Sequence, residues 1–141
     1  MRRAAALLLL AAACGGGDAG GGGPEPGAEI FAKECTGLPS DDPKLSLPAG
    51  FPSYDGWRPN RRATQGKTTV YFGIASVPAD DVAAVQQRQR ELLADAGYTI
   101  VSTDREFQAE AEVHFDGSAE GSAQITPVCR GTVQIRYRFS G

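Results

Sequence analysis

The one histidine of the chain, His114, sits among acids at alternate positions. The stretch "EAEVHFD" spaces Glu110, Glu112, His114 and Asp116 two residues apart. Carboxylates and an imidazole are the ligand types a divalent metal uses and the groups that move protons in general acid–base catalysis. A spacing of two belongs to a strand, where same-face neighbours stand roughly 6.5–7 Å apart. Adjacent pairs can share an ion at that distance; all four cannot. Two arginines alternate in the same way in "TVQIRYRFS", where Arg136 and Arg138 stand between Ile135, Tyr137 and Phe139. The expected outcome is a solvated charged face, the acids paired with Arg136 and Arg138 on a neighbouring strand. Exposed pairs of that kind contribute about 0–1 kcal/mol each.

Little else in the chain has catalytic spacing. Any histidine-based triad must use His114. No G-x-S-x-G, H-E-x-x-H, P-loop or EF-hand pattern is present. Cys35 and Cys129 stand too far apart for a C-x-x-C redox pair. Asp41 and Asp42 fall among prolines, and Asp80 and Asp81 fit a helix start. Neither an enzyme nor a cofactor is expected.

The elements that would position these residues lie between positions 67 and 141. "KTTVYFGIASV" is β-branched and aromatic and stops at Pro78, which reads as a strand. "PADDVAAVQQRQRELLADAG" reads as a helix, with Asp80 and Asp81 at its N-cap end and Gly97 as its stop. Val82, Val85, Leu92, Leu93 and Ala96 share its apolar face, and Gln89 interrupts it. "YTIVST" gives a second strand. "FQAEAEVHFDG" alternates strictly from Phe107 through Ala109, Ala111 and Val113 to Phe115 and gives a third. "GSAEGSA" reads as a flexible turn, "QITPVC" as a short strand, Arg130-Gly131 as a tight turn and "TVQIRYRFS" as the last strand. The order β-α-β-β-β-β predicts an α+β fold, one helix packed on a mainly antiparallel sheet of four or five strands.

Ahead of that domain, positions 29–66 carry five prolines between 39 and 59 and read as a loop-rich arm. Glu29 to Cys35 can form one helical turn that points Ile30 and Phe31 at a core. Phe51, Tyr54 and Trp57 recur three apart in the arm. They are candidates for an aromatic binding patch, against the plainer expectation that they cover an open apolar face of the sheet.

The chain opens "MRRAAALLLLAAACGGGD": two arginines, ten apolar residues from Ala4 to Ala13, then Cys14 and a glycine-rich run. Ten residues of helix reach about 15 Å, half of a bilayer's hydrocarbon, too short to span but long enough for a secretory signal. With small residues before it and a thiol at its end, the segment resembles a bacterial lipoprotein signal, the lipobox. That family usually places leucine three positions before the cysteine, where this chain has Ala11. The resemblance implies a signal peptide over 1–13, cleavage before Cys14 and transfer of a diacylglycerol to its thiol. One acyl chain anchors marginally and two anchor stably, so membrane lipid becomes the first partner and the protein lies tethered on the extracytoplasmic side. Positions 14–28 then serve as a tether, because glycine at that density cannot bury apolar surface. With Cys14 acylated, Cys35 and Cys129 are left to pair in an oxidising compartment.

A length of 141 residues leaves room for one modest core. Without Arg2 and Arg3 the 14 basic residues fall to 12 against 17 acidic, which argues against nucleic acid as a partner. Strand-helix-strand order and the "GFPSYDG" lead-in make the domain similar to compact α+β domains of bacterial lipoproteins. The resulting expectation is a lipid-anchored, non-enzymatic binding or adaptor module with an envelope protein as partner. Two alternatives stand beside it. One is a carrier holding a small apolar ligand between helix and sheet, lined by Val85, Leu92, Val113 and Ile135. The other is a hydrolase using His114.

Overall fold

Period-two alternation decides the sheet. The computed structural model describes residues 22–141. A short turn of helix, α1 (Ala28–Phe31), precedes β1 (Arg58–Gln65), β2 (Thr68–Ser76), α2 (Val82–Asp95), β3 (Thr99–Glu106), β4 (Glu110–Asp116), β5 (Glu120–Cys129) and β6 (Thr132–Ser140). The six strands form one sheet in the order β1-β2-β6-β5-β4-β3, with every neighbouring pair antiparallel. The α+β class and the β-α-β-β-β-β run from β2 to β6 are as expected, but the sheet has six strands where four or five were expected. The sixth is β1, drawn from the segment read as loop. It is an edge strand, so Pro59 costs no ladder bond there, and a bulge between Pro59 and Arg61 absorbs the misfit.

Two other boundaries differ from the sequence reading. Phe107 is not part of β4: it sits in the β3–β4 turn at φ 49°, 58 % exposed, and the strand starts at Glu110. "GSAEGSA" is mostly strand, because β5 begins at Glu120. Small residues are needed there, since a Cβ on Gly121 would collide with the Arg138 carbonyl of β6.

Helix α2 has the ends its sequence announces. The Asp81 side chain accepts from Ala83 N–H at 2.9 Å. At the other end Gly97 takes φ 88°, Tyr98 N–H reaches Leu93 O and Gly97 N–H reaches Ala94 O, the paired bonds of a Schellman stop. Its buried stripe is Val82, Val85, Gln89 and Leu93; Leu92 is half-buried and Ala96 exposed, off the core face.

The helix covers β3, β4 and β5. The arm packs on the same face, with Phe51 and Tyr54 buried and Trp57 packed against the core. Trp57 donates its indole N–H to Ile135 O at 3.1 Å and lies over Gly73, where any Cβ would meet its ring. Phe51 is the hub of the aromatic packing, its ring centroid 4.9–5.7 Å from those of Tyr98, Phe115, Tyr137 and Phe139. Cys35 and Cys129 form a disulfide, Cα atoms 5.1 Å apart, which pins the start of the arm to the end of β5. Among the described residues no helix is long and apolar enough to cross a membrane.

Candidate functional site

With helix and arm covering the core side of the sheet, the polar side chains of β4, β5 and β6 fall on the other face. Register lines them up in rows that cross the sheet. One row runs Arg61, Phe72, Arg136, Gln124, Glu112 and Asp104; the next runs Ala63, Val70, Arg138, Ser122, His114 and Ser102. Glu112 is half-buried, and His114 Nε2 stands 3.4 Å from Glu112 Oε2. The imidazole is 45 % exposed, and among the described residues no hydroxyl or thiol is hydrogen-bonded to it. Asp116 is exposed at the strand end.

The expected pairing of the β4 acids with Arg136 and Arg138 does not form. Consecutive hairpins place β5 between β4 and β6, so the arginines face Gln124 and Ser122 instead. Arg136 donates to Gln124 Oε1. Among the described residues, Arg61, Arg136 and Arg138 make no ion pair, and Arg136 Nε is buried without a hydrogen-bond partner.

These side chains line a concavity of about 670 Å³ on the open face. Its walls come from five strands: Ala63 on β1, Val70 and Phe72 on β2, Arg136 and Arg138 on β6, Ser122 and Gln124 on β5, and Glu112 on β4. A sheet whose five strands line one hollow is curved around it. The Arg61 guanidinium lies 3.6 Å from the Phe72 ring centroid, a cation–π contact at the rim. A smaller hollow of about 370 Å³ lies beyond, around His114, Asp116 and Glu120.

Val70, Phe72 and Arg61 were not singled out by the sequence reading. The signal was present in "VYFGIA", where both alternating sets of β2 are apolar. One set, Tyr71, Gly73 and Ala75, faces the core; the other had to face something else. Phe51, Tyr54 and Trp57 are brought together, but on the covered face.

The space between helix and sheet holds side chains. Val85, Val113 and Ile135 are buried in one cluster with Phe51 and Tyr54, and Leu92 lies at its margin. Through it runs a polar chain. Tyr54 N–H donates to Tyr137 Oη at 2.7 Å, Tyr137 O–H donates to Gln89 Oε1 at 2.6 Å, and Gln89 Nε2 donates to Pro52 O at 3.1 Å. Burial pushes the Tyr137 phenol well above the usual tyrosine range, and burial likewise raises Tyr54. Outside this core Arg88 grips the Asp55 carboxylate at 2.8 and 3.2 Å and holds its carboxyl below the usual range.

Cys14, the expected site of acylation, and the first part of the expected tether lie outside the described residues. Compared with known families, curated proteins and solved structures, the chain matches none.

Proposed function

We propose that this is a lipid-anchored, extracytoplasmic, non-enzymatic binding module whose ligand site is the curved open face of the sheet. One observation carries the site: helix and arm cover the core of one face, while five strands line a hollow of about 670 Å³ on the other. That volume falls within the usual range of small-molecule sites, roughly 300–1,000 Å³. Apolar side chains beside a few convergent polar groups are the usual lining of such a site. The anchor rests on the sequence alone, on Cys14 at the end of its apolar run.

The packed cluster of Val85, Val113 and Ile135 favours the open face over the helix–sheet interior as the place for a ligand. Native mass spectrometry of the protein isolated from its own envelope tests the reading. A bound species of small-molecule mass is expected, lost when Ser122→Trp fills the hollow. An equal adduct on both proteins, or none on either, overturns it.

A further inference from the structure

The geometry points to a single-chain anionic amphiphile, a carboxylate or phosphate head on an apolar body, as the ligand of the open-face hollow. This deepens the binding reading above and rests on it.

Three observations converge. First, the chain is acidic, with a formal net charge of −3, yet the middle of this face is cationic. Arg136 and Arg138 project from alternate positions of one central strand, about 7 Å apart, while Arg61, in the same row on the edge strand, lies against the Phe72 ring. Glu112 is the one acid in the hollow's lining, a strand away beyond Gln124, and among the described residues no acid lies within ion-pair distance of Arg61, Arg136 or Arg138, so their mutual repulsion is only partly offset. A bound anion removes that cost.

Second, the donors are unsatisfied. Arg136 spends one guanidinium bond on Gln124, and its Nε is withdrawn from water with no acceptor. A guanidinium presents a planar fork suited to two oxygens of one carboxylate or phosphate. Ser122 and Gln124 stand alongside to complete the head-group contacts.

Third, each arginine has an apolar partner in register. Phe72 stands opposite Arg136, and Val70 stands opposite Arg138. Both are only half-buried although they lie on an interior strand. Two Arg–apolar pairs side by side fit a ligand that is charged at one end and apolar along the other. A bare anion leaves Val70 and Phe72 wet, and an uncharged apolar molecule leaves the arginines uncompensated.

The test uses the full chain with Cys14→Ser, so that no acyl chain of its own competes. Backbone amide shifts are followed with octyl phosphate, octanoate, octyl glucoside and inorganic phosphate, the amphiphiles below their micelle concentrations. Expected are shifts at Val70, Phe72, Arg136 and Arg138 with octyl phosphate or octanoate. Their affinity should be at least tenfold above that of the glucoside or of phosphate, and fall at least tenfold in the R136Q/R138Q variant. Which of the two anions binds more tightly separates a lipid-phosphate ligand from a fatty-acid ligand. Arg138 is exposed, so R138Q alone carries the test if the double variant does not fold.

Octyl glucoside binding as tightly as the anions, and unchanged in the variant, overturns the anionic head while leaving the binding reading intact. Inorganic phosphate matching octyl phosphate overturns the apolar body. Silence toward all four probes overturns the ligand class, and the native adduct then decides the binding reading separately.

Discussion

The hydroxyl of Tyr137 donates to Gln89 Oε1 at 2.6 Å inside a core that excludes water from both side chains. Strand β6, helix α2 and the arm therefore meet at one pair of polar groups. Removing either partner strands the other: Tyr137→Phe leaves Tyr54 N–H and Gln89 Oε1 unpaired, and Gln89→Leu leaves the Tyr137 O–H without an acceptor and Pro52 O without a donor. Each single change should cost about 1–3 kcal/mol. The double variant should cost less than the sum, because the bond they share is lost only once. Urea unfolding midpoints of the four proteins give the cycle; strict additivity would contradict the coupling.

The same phenol predicts the alkaline limb of stability. An unfolded tyrosine ionises near pH 10, whereas folded Tyr137 keeps its proton to higher pH. Above about pH 10 the unfolded chain thus binds fewer protons than the folded one, and stability falls by about 1.4 kcal/mol per pH unit from this group. Below pH 10 both states are protonated and the contribution is constant. Tyr137→Phe should lower stability at neutral pH yet show a shallower decline between pH 10 and 11, read from unfolding midpoints across that window.

The Cys35–Cys129 disulfide closes a loop with a sequence separation of 94. Closing so long a loop restricts the unfolded chain by about 4–5 kcal/mol in the chain-entropy description. Replacing both cysteines with serine should lower stability by about 2–5 kcal/mol, with the arm near Lys33 and Glu34 the first part to gain amide exchange. Arg130 still links to both of those residues and limits the local loss. A change below 1 kcal/mol would mean the arm is held by its aromatic packing alone.

How far the residues themselves announced this arrangement depends on what each element has to bury. Strands β4 and β6 alternate cleanly because each has one core face, and α2 was readable from Asp81 and Gly97. Strand β1 was not, because it is exposed along nearly its whole length and its "RPNRRATQ" carries no alternation. Gln89 reads as a flaw in an apolar stripe, since its donor and acceptor partners, Tyr137 and Pro52, are 48 and 37 residues away. Arg136 and Arg138 were seen as charged-face residues. Their partners do not follow from alternation, because pairing depends on which strand lies between, and β5 stands between β4 and β6.

The anchor can be checked without any ligand. Cys14→Ser removes the thiol that would receive the diacylglycerol, and two chains are what make such anchoring stable. The variant should move from the membrane pellet to the supernatant of fractionated cells. Unchanged fractionation would rule out acylation at Cys14.

Strand β6 is the sixth strand in sequence but fills a central place between β2 and β5. Until it has been made, the β1–β2 hairpin and the β3–β4–β5 meander are two separate half-sheets with four bare edges instead of two. Neither half holds both walls of the aromatic cluster, since Tyr137 and Phe139 arrive with β6. The sheet of this chain is therefore continuous only with β6 in place. Truncation between Cys129 and Thr132 should leave two sticky fragments of sheet, not a smaller version of the protein.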